Sequence, residues 1–248
     1  MKSILILGGG KGVGKEILKS CLGKGYKVAF CGRSAEQAGD LIKEHEDSGN
    51  LYYHQLDLRD IEEVTKFYEE TIKRYKKVDA AIIYAGVTPV GSILDSNEAT
   101  YDSIFDINLK APFFLLQKVL KGMIDNKSGS IIFFGSAHMD YGEINRAPYA
   151  LSKSALYTLS SHIAHHYAKY GIRSNYVVMG WTATEGELEL RRQEGISEDE
   201  LKKKAAEIIP MGRMLSNYDP VPAVMYLVSD DSGMTTGSLI RITGGEFI

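Results

Sequence analysis

The sequence predicts an α/β fold built on a single doubly wound parallel sheet with helices on both faces. Short, continuous apolar runs alternate with longer amphipathic stretches, which is the pattern of strands buried on both faces and connected by helices. Right-handed crossovers wind such a sheet in both directions from its first strand. No internal repeat or low-complexity linker interrupts the chain, so we expect one domain over residues 1–248.

The apolar runs are assigned to strands, and the amphipathic stretches between and after them to helices. The predicted strands are residues 3–7, 27–31, 51–55, 80–84, 130–134, 174–178 and 239–242. The predicted helices are residues 12–22, 35–46, 61–75, 101–123, 149–170, 201–209 and 221–228. Residues 182–197 are the least regular part and are rich in Glu and Arg. They form either a solvated helix face or a mobile flap over a ligand, and we expect a substrate flap around residues 182–212.

Composition and charge narrow the class of protein. Hydrophobic residues make up 44% and charged residues 25% of the chain, so a folded core is expected rather than disorder. The formal net charge of −3 offers no basic field for nucleic acid. Cys21 and Cys31 are too few for a disulfide scaffold and lack metal-ligand spacing, which favours a reducing, cytoplasmic setting. The N-terminal apolar run is too short for a signal peptide, and no run of about 18 apolar residues follows, so no membrane partner is expected.

A glycine-rich turn lies between the first predicted strand and the first predicted helix, in ILILGGGKGVGKEIL. Gly8, Gly12 and Gly14 form the pattern G-x-x-x-G-x-G, which lets a backbone approach a pyrophosphate at a helix N-terminus. The same pattern can make a tight turn without a ligand, but its place in the first crossover favours a dinucleotide-binding, Rossmann-like fold. Lys15 and Glu16 follow the last glycine, where a P-loop needs Lys and Ser or Thr, which argues against a nucleoside triphosphatase.

Positive charge after the second strand favours NADP(H) over NAD(H). Rossmann folds that bind NAD carry an acidic residue there for the ribose 2′-hydroxyl, and that residue would repel a 2′-phosphate. This chain has Arg33 instead, and Lys11 adds a second cation inside the glycine loop. The alternative is that Arg33 is a solvated loop charge. Asp57, after the third strand, either accepts a hydrogen bond from the adenine amino group or caps the helix that starts near Asp60.

Tyr149 and Lys153, in the segment YALSK, lie four residues apart at the start of a predicted helix and so share one face of it. A nearby ammonium favours the phenolate and lowers the pKa of tyrosine, which is about 10 when free, toward the working range of an acid–base catalyst. Ser136, just past the fifth strand, can hold a substrate oxygen together with Tyr149. Asn108, on the preceding long helix, can orient a water beside Lys153 and relay protons to solvent.

Together these residues resemble the short-chain dehydrogenase/reductase family, and the likeness extends over residues 4–245. In that family the residues matching Asn108, Ser136, Tyr149 and Lys153 form the catalytic tetrad, and the lysine also binds the nicotinamide ribose. The segments NYVVMGWTAT, IPMGR and TGSLIRITGG look like the family's later motifs. The cofactor contacts expected from the glycine loop, the charges and this resemblance are Gly8, Gly10, Lys11, Gly12, Val13, Gly14, Arg33, Asp57, Leu58, Ala85, Gly86, Tyr149, Lys153, Gly180, Thr182 and Thr184.

The chain departs from the family pattern at three places. Leu7 replaces the threonine usual before the first glycine, and Met179 replaces the proline usual before Gly180. Residues 83–86 are IYAG instead of N-N-A-G, so the hydrogen bonds that brace the fourth strand must be made otherwise. None of these changes removes a charge or a proton carrier from the expected mechanism.

Three further groups of side chains carry weaker functional signals. The helical spacing of His162, His165 and His166 could gather imidazoles, but no acidic ligand accompanies them and no metal site is expected. Four side chains flank the Ser and Tyr segments: His138, Met139, Tyr141 and Trp181. They either line a substrate pocket or fill the core. Residues 113–116 are expected in the core or at a subunit contact.

The sequence therefore predicts an NADPH-dependent carbonyl reductase in which Ser136 and Tyr149 bind the carbonyl oxygen and Tyr149 supplies the proton. The reverse alcohol oxidation is the same chemistry. Overall likeness is nearest to 3-oxoacyl-(acyl carrier protein) reductases, which implies a small-molecule or acyl-carrier substrate and a homotetramer. One alternative is a catalytically silent NADP-binding regulatory or assembly protein, against which the intact tetrad argues. Another keeps the fold and catalyses dehydration or epimerisation.

Overall fold

The strands of the computed structural model, which describes residues 1–45, 48–140 and 142–246, form one parallel sheet. Its order is β3-β2-β1-β4-β5-β6-β7, so the chain winds outward from β1 in two directions. The strands are β1 (Ser3–Leu7), β2 (Lys27–Gly32), β3 (Leu51–Gln55), β4 (Ala80–Ile83), β5 (Gly129–Ser136), β6 (Ile172–Met179) and β7 (Leu239–Ile242). The predicted doubly wound, Rossmann-like fold is confirmed.

Helices connect the strands and cover both faces of the sheet. They are α1 (Gly12–Gly23), α2 (Gly39–Glu44), α3 (Ile61–Tyr75), α4 (Glu98–Phe105), α5 (Ala111–Asn126), α6 (Ala147–Tyr167), α7 (Glu185–Gln193), α8 (Glu198–Ile208) and α9 (Val221–Val228). Within the described ranges, no helix combines the length and the apolar character that a bilayer crossing requires.

Alternate side chains of each strand divide the core into two layers. In β1, Leu5 and Leu7 pack with buried residues of α3, α5 and α6, whereas Ile4 and Ile6 pack with those of α1 and α9. Every residue of β1 is buried. A strand covered on both faces has no polar side, which is why continuous apolar runs predicted the sheet.

The single helix predicted over residues 101–123 is wrong in detail, because a π-helical turn at Asp106–Lys110 separates α4 from α5. Pro112 lies in the first turn of α5 and has no N–H to donate to the carbonyl of Asn108. The ordinary helical hydrogen bond therefore cannot form there. Apolar periodicity continues through such a turn, so the pattern alone did not indicate it.

Residues 182–197, predicted as the least regular segment, contain helix α7. Thr184 begins the helix by accepting a hydrogen bond from the Glu187 N–H at 3.2 Å. Arg191 then pairs with Glu187 and Glu194, each at 2.8 Å. The density of Glu and Arg in this segment thus supports a helix through pairs on one face. Because Glu187, Arg191 and Glu194 also line the cleft described below, a substrate flap here stays a prediction.

Smaller differences lie at the ends of elements. The strands β5 and β6 pair over their full length, so β5 extends to Ser136 and β6 to Met179, beyond the predicted ends. The helix predicted over residues 35–46 begins as a 3-10 turn at Ala35–Ala38, and α2 ends at Glu44. Glu46 lies outside the described residues.

Candidate active site

A cleft of about 750 Å³ opens at the carboxyl ends of β1, β4, β5 and β6. Strands β2 and β4 lie on opposite sides of β1, so the winding direction reverses here. Open α/β sheets bind their ligands at such a switch point. The glycine loop lines one part of the cleft, and the segments that follow β5 and β6 line another.

The glycine loop has a backbone shape that side chains would disturb. Gly8 and Gly12 have φ values of +93° and +56°. At Gly14, a Cβ would lie 2.8 Å from the Gly9 Cα and equally close to the Tyr84 ring. The predicted contacts that line the cleft here are Gly8, Gly10, Lys11 and Val13. Gly12 and Gly14 lie outside the lining, in the first turn of α1, and contribute through backbone shape.

The N-terminus of α1 has no side-chain cap and no acidic residue in its first turn. Its dipole therefore keeps a positive end at the glycine loop. The Tyr84 hydroxyl lies beside this end. Burial raises the pKa of Tyr84 to about 12, and a hydrogen bond from the Gly14 N–H opposes that rise. Tyr84 also packs edge-on against Phe134, with ring centres 5.2 Å apart. Tyr84 thus links the end of β4 to the glycine loop. The sequence had shown that IYAG replaces N-N-A-G here, but not which contact would brace the strand instead.

Arg33, Asp57 and Leu58 lie together on the cleft wall. Arg59 donates to both carboxylate oxygens of Asp57, with its Nε 3.1 Å from each. Hydrogen bonds from Arg59 hold the pKa of Asp57 at about 2, and the charge of Arg33 lowers it slightly further. The N-cap of α3 is Asp60, which accepts from two N–H groups of the first turn. The alternative that Asp57 caps this helix is therefore wrong.

Ser136, Tyr149 and Lys153 line the cleft from the end of β5 and the first turns of α6. The Lys153 Nζ lies 5.7 Å from the centre of the Tyr149 ring and donates to the Phe134 carbonyl at 3.0 Å. Burial lowers the pKa of Lys153 to about 8. Burial also raises the pKa of Tyr149, against the effects of a hydrogen bond with Ser136 and the charge of Arg146, so the lowered pKa predicted from the nearby Lys153 is not what this structure gives. The fold thus brings the predicted Ser, Tyr and Lys side chains together.

Asn108 is fully buried behind the cleft wall. Its Oδ1 accepts from the Val87 N–H at 2.8 Å, and its Nδ2 donates to the Val87 carbonyl at 2.9 Å and to the Ser152 hydroxyl at 3.0 Å. A Cβ on Gly86 would lie 3.2 Å from both the Asn108 Oδ1 and the Lys153 Nζ, so these two atoms flank the same glycine. The three hydrogen bonds of Asn108 use both hydrogens of its side-chain amide and one of the two lone pairs of its Oδ1, so one lone pair remains.

The other predicted cofactor residues follow β4 and β6 and line the cleft: Ala85, Gly86, Gly180, Thr182 and Thr184. The Thr182 Oγ1 donates to the Gly180 carbonyl at 3.0 Å, which folds this segment back on itself. All of the predicted cofactor contacts except Gly12 and Gly14 therefore share one cleft.

The side chains that flank the Ser and Tyr segments, which were predicted either to line a pocket or to fill the core, do not all lie in one place. His138 and Trp181 line the cleft, whereas Met139 packs against the core. Tyr141 lies outside the described residues. The three histidines of α6 lie on its exposed surface, away from the cleft, with the ring centres of His162 and His166 4.3 Å apart.

Several cleft residues were not singled out from the sequence, and among the polar ones are Glu143, Asn145, Arg146 and Glu246. Arg146 precedes Tyr149 by three residues at the start of α6, and this spacing was a signal that could have found it. Glu246 comes from the C-terminal segment, and no local pattern places it here.

The fold and the cleft define an oxidoreductase of the Rossmann type. Residues 2–195 match the family model described as short chain dehydrogenase, and the chain belongs to that family. An uncharacterized oxidoreductase of Thermotoga maritima is 32% identical over 99% of this chain and 97% of its own length. The 3-oxoacyl-[acyl-carrier-protein] reductase FabG of Staphylococcus aureus is 28% identical over 100% of this chain and 98% of its own. A structure of actinorhodin polyketide ketoreductase with NADPH superposes with a TM-score of 0.92 at 24% identity, covering 99% of this chain and 97% of that one.

Proposed function

We propose that this oxidoreductase reduces a carbonyl group with NADPH, using Tyr149 as the proton donor, and catalyses the reverse alcohol oxidation. The observation that carries the proposal is the meeting of Ser136, Tyr149 and Lys153 on the wall of the cleft that the glycine loop also lines. A proton donor, a hydrogen-bonding hydroxyl and a buried cation then share one space with a dinucleotide-type loop.

The residues of this cleft can each take one role in the reduction. Bound NADPH supplies the hydride. The Ser136 Oγ accepts from the His138 N–H at 3.3 Å and its hydroxyl is hydrogen-bonded with Tyr149, so a substrate oxygen entering between the two hydroxyls can accept from both. Tyr149 transfers its proton to the same oxygen as the alcohol forms. The charge of Arg146 then stabilises the phenolate that remains, and the Lys153 Nζ lies 5.7 Å from the ring centre.

Asn108 has a positioning role in this proposal and completes the proton path. Its amide ties Val87, after β4, to Ser152, which precedes Lys153 on α6. The remaining lone pair of its Oδ1 accepts from a water beside Lys153, through which the proton lost by Tyr149 is replaced from solvent. This extends the relay predicted from the sequence to particular atoms.

The charges at the glycine-loop end support NADP(H) rather than NAD(H). Arg33 lines the cleft, and Arg59 neutralises Asp57, the nearby acid that would otherwise repel a 2′-phosphate. The positive end of the α1 dipole at the glycine loop suits the pyrophosphate. Structures of the neighbours ElxO and actinorhodin polyketide ketoreductase carry NADP or NADPH, which supports the same preference here.

A homotetramer and an acyl-carrier or small-molecule substrate remain part of the proposal. The exposed aromatic side chains Tyr101, Phe113 and Phe114 lie on α4 and α5, and Leu151 is exposed on α6. These suit a subunit contact. Light scattering of the purified protein should give a mass near four chains, and a monomer at micromolar concentration would contradict this part.

The central test is NADPH oxidation at 340 nm with a panel of ketones and 3-oxoacyl thioesters, comparing wild type with Tyr149→Phe. Reduction by the wild type and its loss in the variant is the expected result. Tight NADPH binding with no turnover on a broad panel would overturn the proposal in favour of a silent NADP-binding protein. Product analysis by mass spectrometry separates reduction from dehydration or epimerisation.

A further inference from the structure

The wall of the cleft around Tyr149 carries hydrogen-bonding side chains beyond those that the reduction needs. Asn145 and Arg146 immediately precede the turn of α6 that carries Tyr149, and Glu246 reaches the cleft from the C-terminal segment. The His138 ring lies 6.0 Å from the Tyr149 ring, centre to centre. All of these side chains line the same cleft as Ser136 and Tyr149.

Two of these side chains are acceptors that lack a full set of donors. The Asn145 Oδ1 is buried and has no hydrogen-bond partner among the described residues. Glu246 is 8% exposed, and its Oε2 accepts from the Trp181 N–H at 3.0 Å. Burial raises the pKa of Glu246, and the nearby carboxylate of Glu143 adds to the rise. Buried acceptors of this kind are costly unless a donor reaches them.

Arg146 is the matching donor on the same wall. Its side chain is 14% exposed, and its Nη1 donates to the Thr88 carbonyl at 2.7 Å, which holds the guanidinium in place. Its Nε lies 3.9 Å from the Glu143 carboxylate, at the far limit of an ion pair. Its Nη2 donates to none of the described residues. A donor and two acceptors therefore line the path of the substrate.

Three chemical classes of substrate can be compared with this arrangement. A carboxylate could accept from Arg146 but has no hydrogen to give to Asn145 or Glu246. An apolar acyl chain would suit the nearby side chains of Leu190 and Ile208, but would leave the buried acceptors unpaired. A chain of hydroxyls both donates and accepts, so it can pair with the acceptors and with Arg146.

We propose that the substrate of this reductase is a polyhydroxylated carbonyl compound, such as a ketose, whose hydroxyls are held by Asn145, Arg146 and Glu246. In the reverse direction the substrate is a polyol. The inference rests on the proposed reductase activity and deepens it, because sites built to pair with hydroxyls discriminate strongly against analogues that lack them.

The test measures NADPH oxidation with pairs of ketones that share a carbon chain. The pairs are D- and L-erythrulose against 2-butanone, and D-fructose, L-sorbose and D-tagatose against 2-hexanone, with acetoacetyl-CoA as the acyl probe. For at least one hydroxylated member, kcat/KM should exceed that of its plain partner by about a hundredfold.

Hydroxyketones are intrinsically more reactive than plain ketones. Variants of the two acceptor residues therefore test whether the enzyme itself recognises the hydroxyls. Glu246→Gln and Asn145→Ala should lower the ratio of kcat/KM between the hydroxylated and plain ketones by roughly tenfold to a hundredfold, mainly through KM. Asn145→Leu, of similar size and without a hydrogen-bonding atom, replaces the alanine variant if that one does not fold. Glu69→Gln, exposed on α3, makes the same amide substitution away from the cleft and should change neither rate.

Preference for the plain ketones or for acetoacetyl-CoA would overturn this inference and leave the reductase proposal standing. An unchanged ratio in both acceptor variants would likewise overturn it. Failure to reduce any member of the panel, with NADPH still bound, would overturn the reductase proposal and this inference with it.

Discussion

The Lys153 ammonium lies 5.7 Å from the centre of the Tyr149 ring, one helical turn away on α6, and is hydrogen-bonded to the Phe134 carbonyl. The lysine is therefore held by the end of β5 rather than by the phenol itself. Its pKa is lowered to about 8 by burial, so it remains largely charged at neutral pH. This fixed cation is the basis for the prediction on Lys153 below, and its neighbour Tyr149 is the subject of the first prediction.

Replacing Tyr149 by Phe should remove activity while preserving the fold. The ring still packs, but the proton donor and its hydrogen bond with Ser136 are lost. We expect kcat to fall by roughly a hundredfold to ten-thousandfold, which is the usual contribution of a general acid. Stopped-flow and steady-state NADPH oxidation measure this. Tyr157→Phe on the same helix is the control, and equal losses in the two variants would contradict the assignment.

The stability contributed by Lys153 should depend on pH. Its pKa is about 8 when folded, below its reference value of 10.5, so between these values the unfolded chain binds more protons. The contribution of Lys153 to the free energy of unfolding therefore rises as pH increases from about 8 to 10.5. It is lowest below that window, where the lysine is charged in both the folded and the unfolded chain. Lys153→Met lacks the buried charge, so its stability relative to wild type should fall across that window, by on the order of a few kcal/mol.

Urea unfolding of both proteins at pH 7, 8.5 and 10 measures this difference. Lys121→Met, on the exposed surface of α5, is the matched control and should show no such trend. A difference between wild type and Lys153→Met that stays constant over the three pH values would contradict the burial of a charged Lys153.

Replacing Arg33 by Asp should weaken NADPH binding much more than NADH binding. The substitution removes a guanidinium that can hold the 2′-phosphate and adds a repelling carboxylate. We expect the Kd for NADPH to rise roughly tenfold to a hundredfold, as measured by fluorescence titration. Lys121→Asp makes a similar change of charge far from the cleft and should alter neither affinity. Equal effects of Arg33→Asp on both cofactors would show that Arg33 is a solvated loop charge.

Adding a methyl group at Gly14 should disrupt the glycine loop. The new Cβ would lie 2.8 Å from the Gly9 Cα and equally close to the Tyr84 ring, so the backbone of the loop or the ring must shift to admit it. We expect Gly14→Ala to lower the free energy of unfolding by about 1–3 kcal/mol and to weaken NADPH binding. Gly186→Ala on α7 meets nothing within 4 Å and should stabilise the chain slightly. Gly14→Ala with unchanged stability would contradict the tight approach.

Sequence patterns predicted most of the fold and most of the cleft for reasons that can be traced to particular residues. The buried strand β1 was visible because it is apolar at every position. Tyr149 and Lys153 were visible because a spacing of four places them on one helix face. The π-helical turn at Asp106–Lys110 was missed because its cause, Pro112, lies within an unbroken apolar pattern.

By itself the sequence determined the fold class, the glycine loop and the Ser–Tyr–Lys set, because these depend on periodicity and spacing within short segments. Only the tertiary structure decided which polar side chains share the cleft. Glu246 reaches Trp181 over 65 residues of chain, and Tyr84 meets Gly14 although three strands, β2, β3 and β4, lie between them in the sequence. Such contacts depend on how elements far apart in the sequence pack together, and no pattern within a short segment indicates that packing.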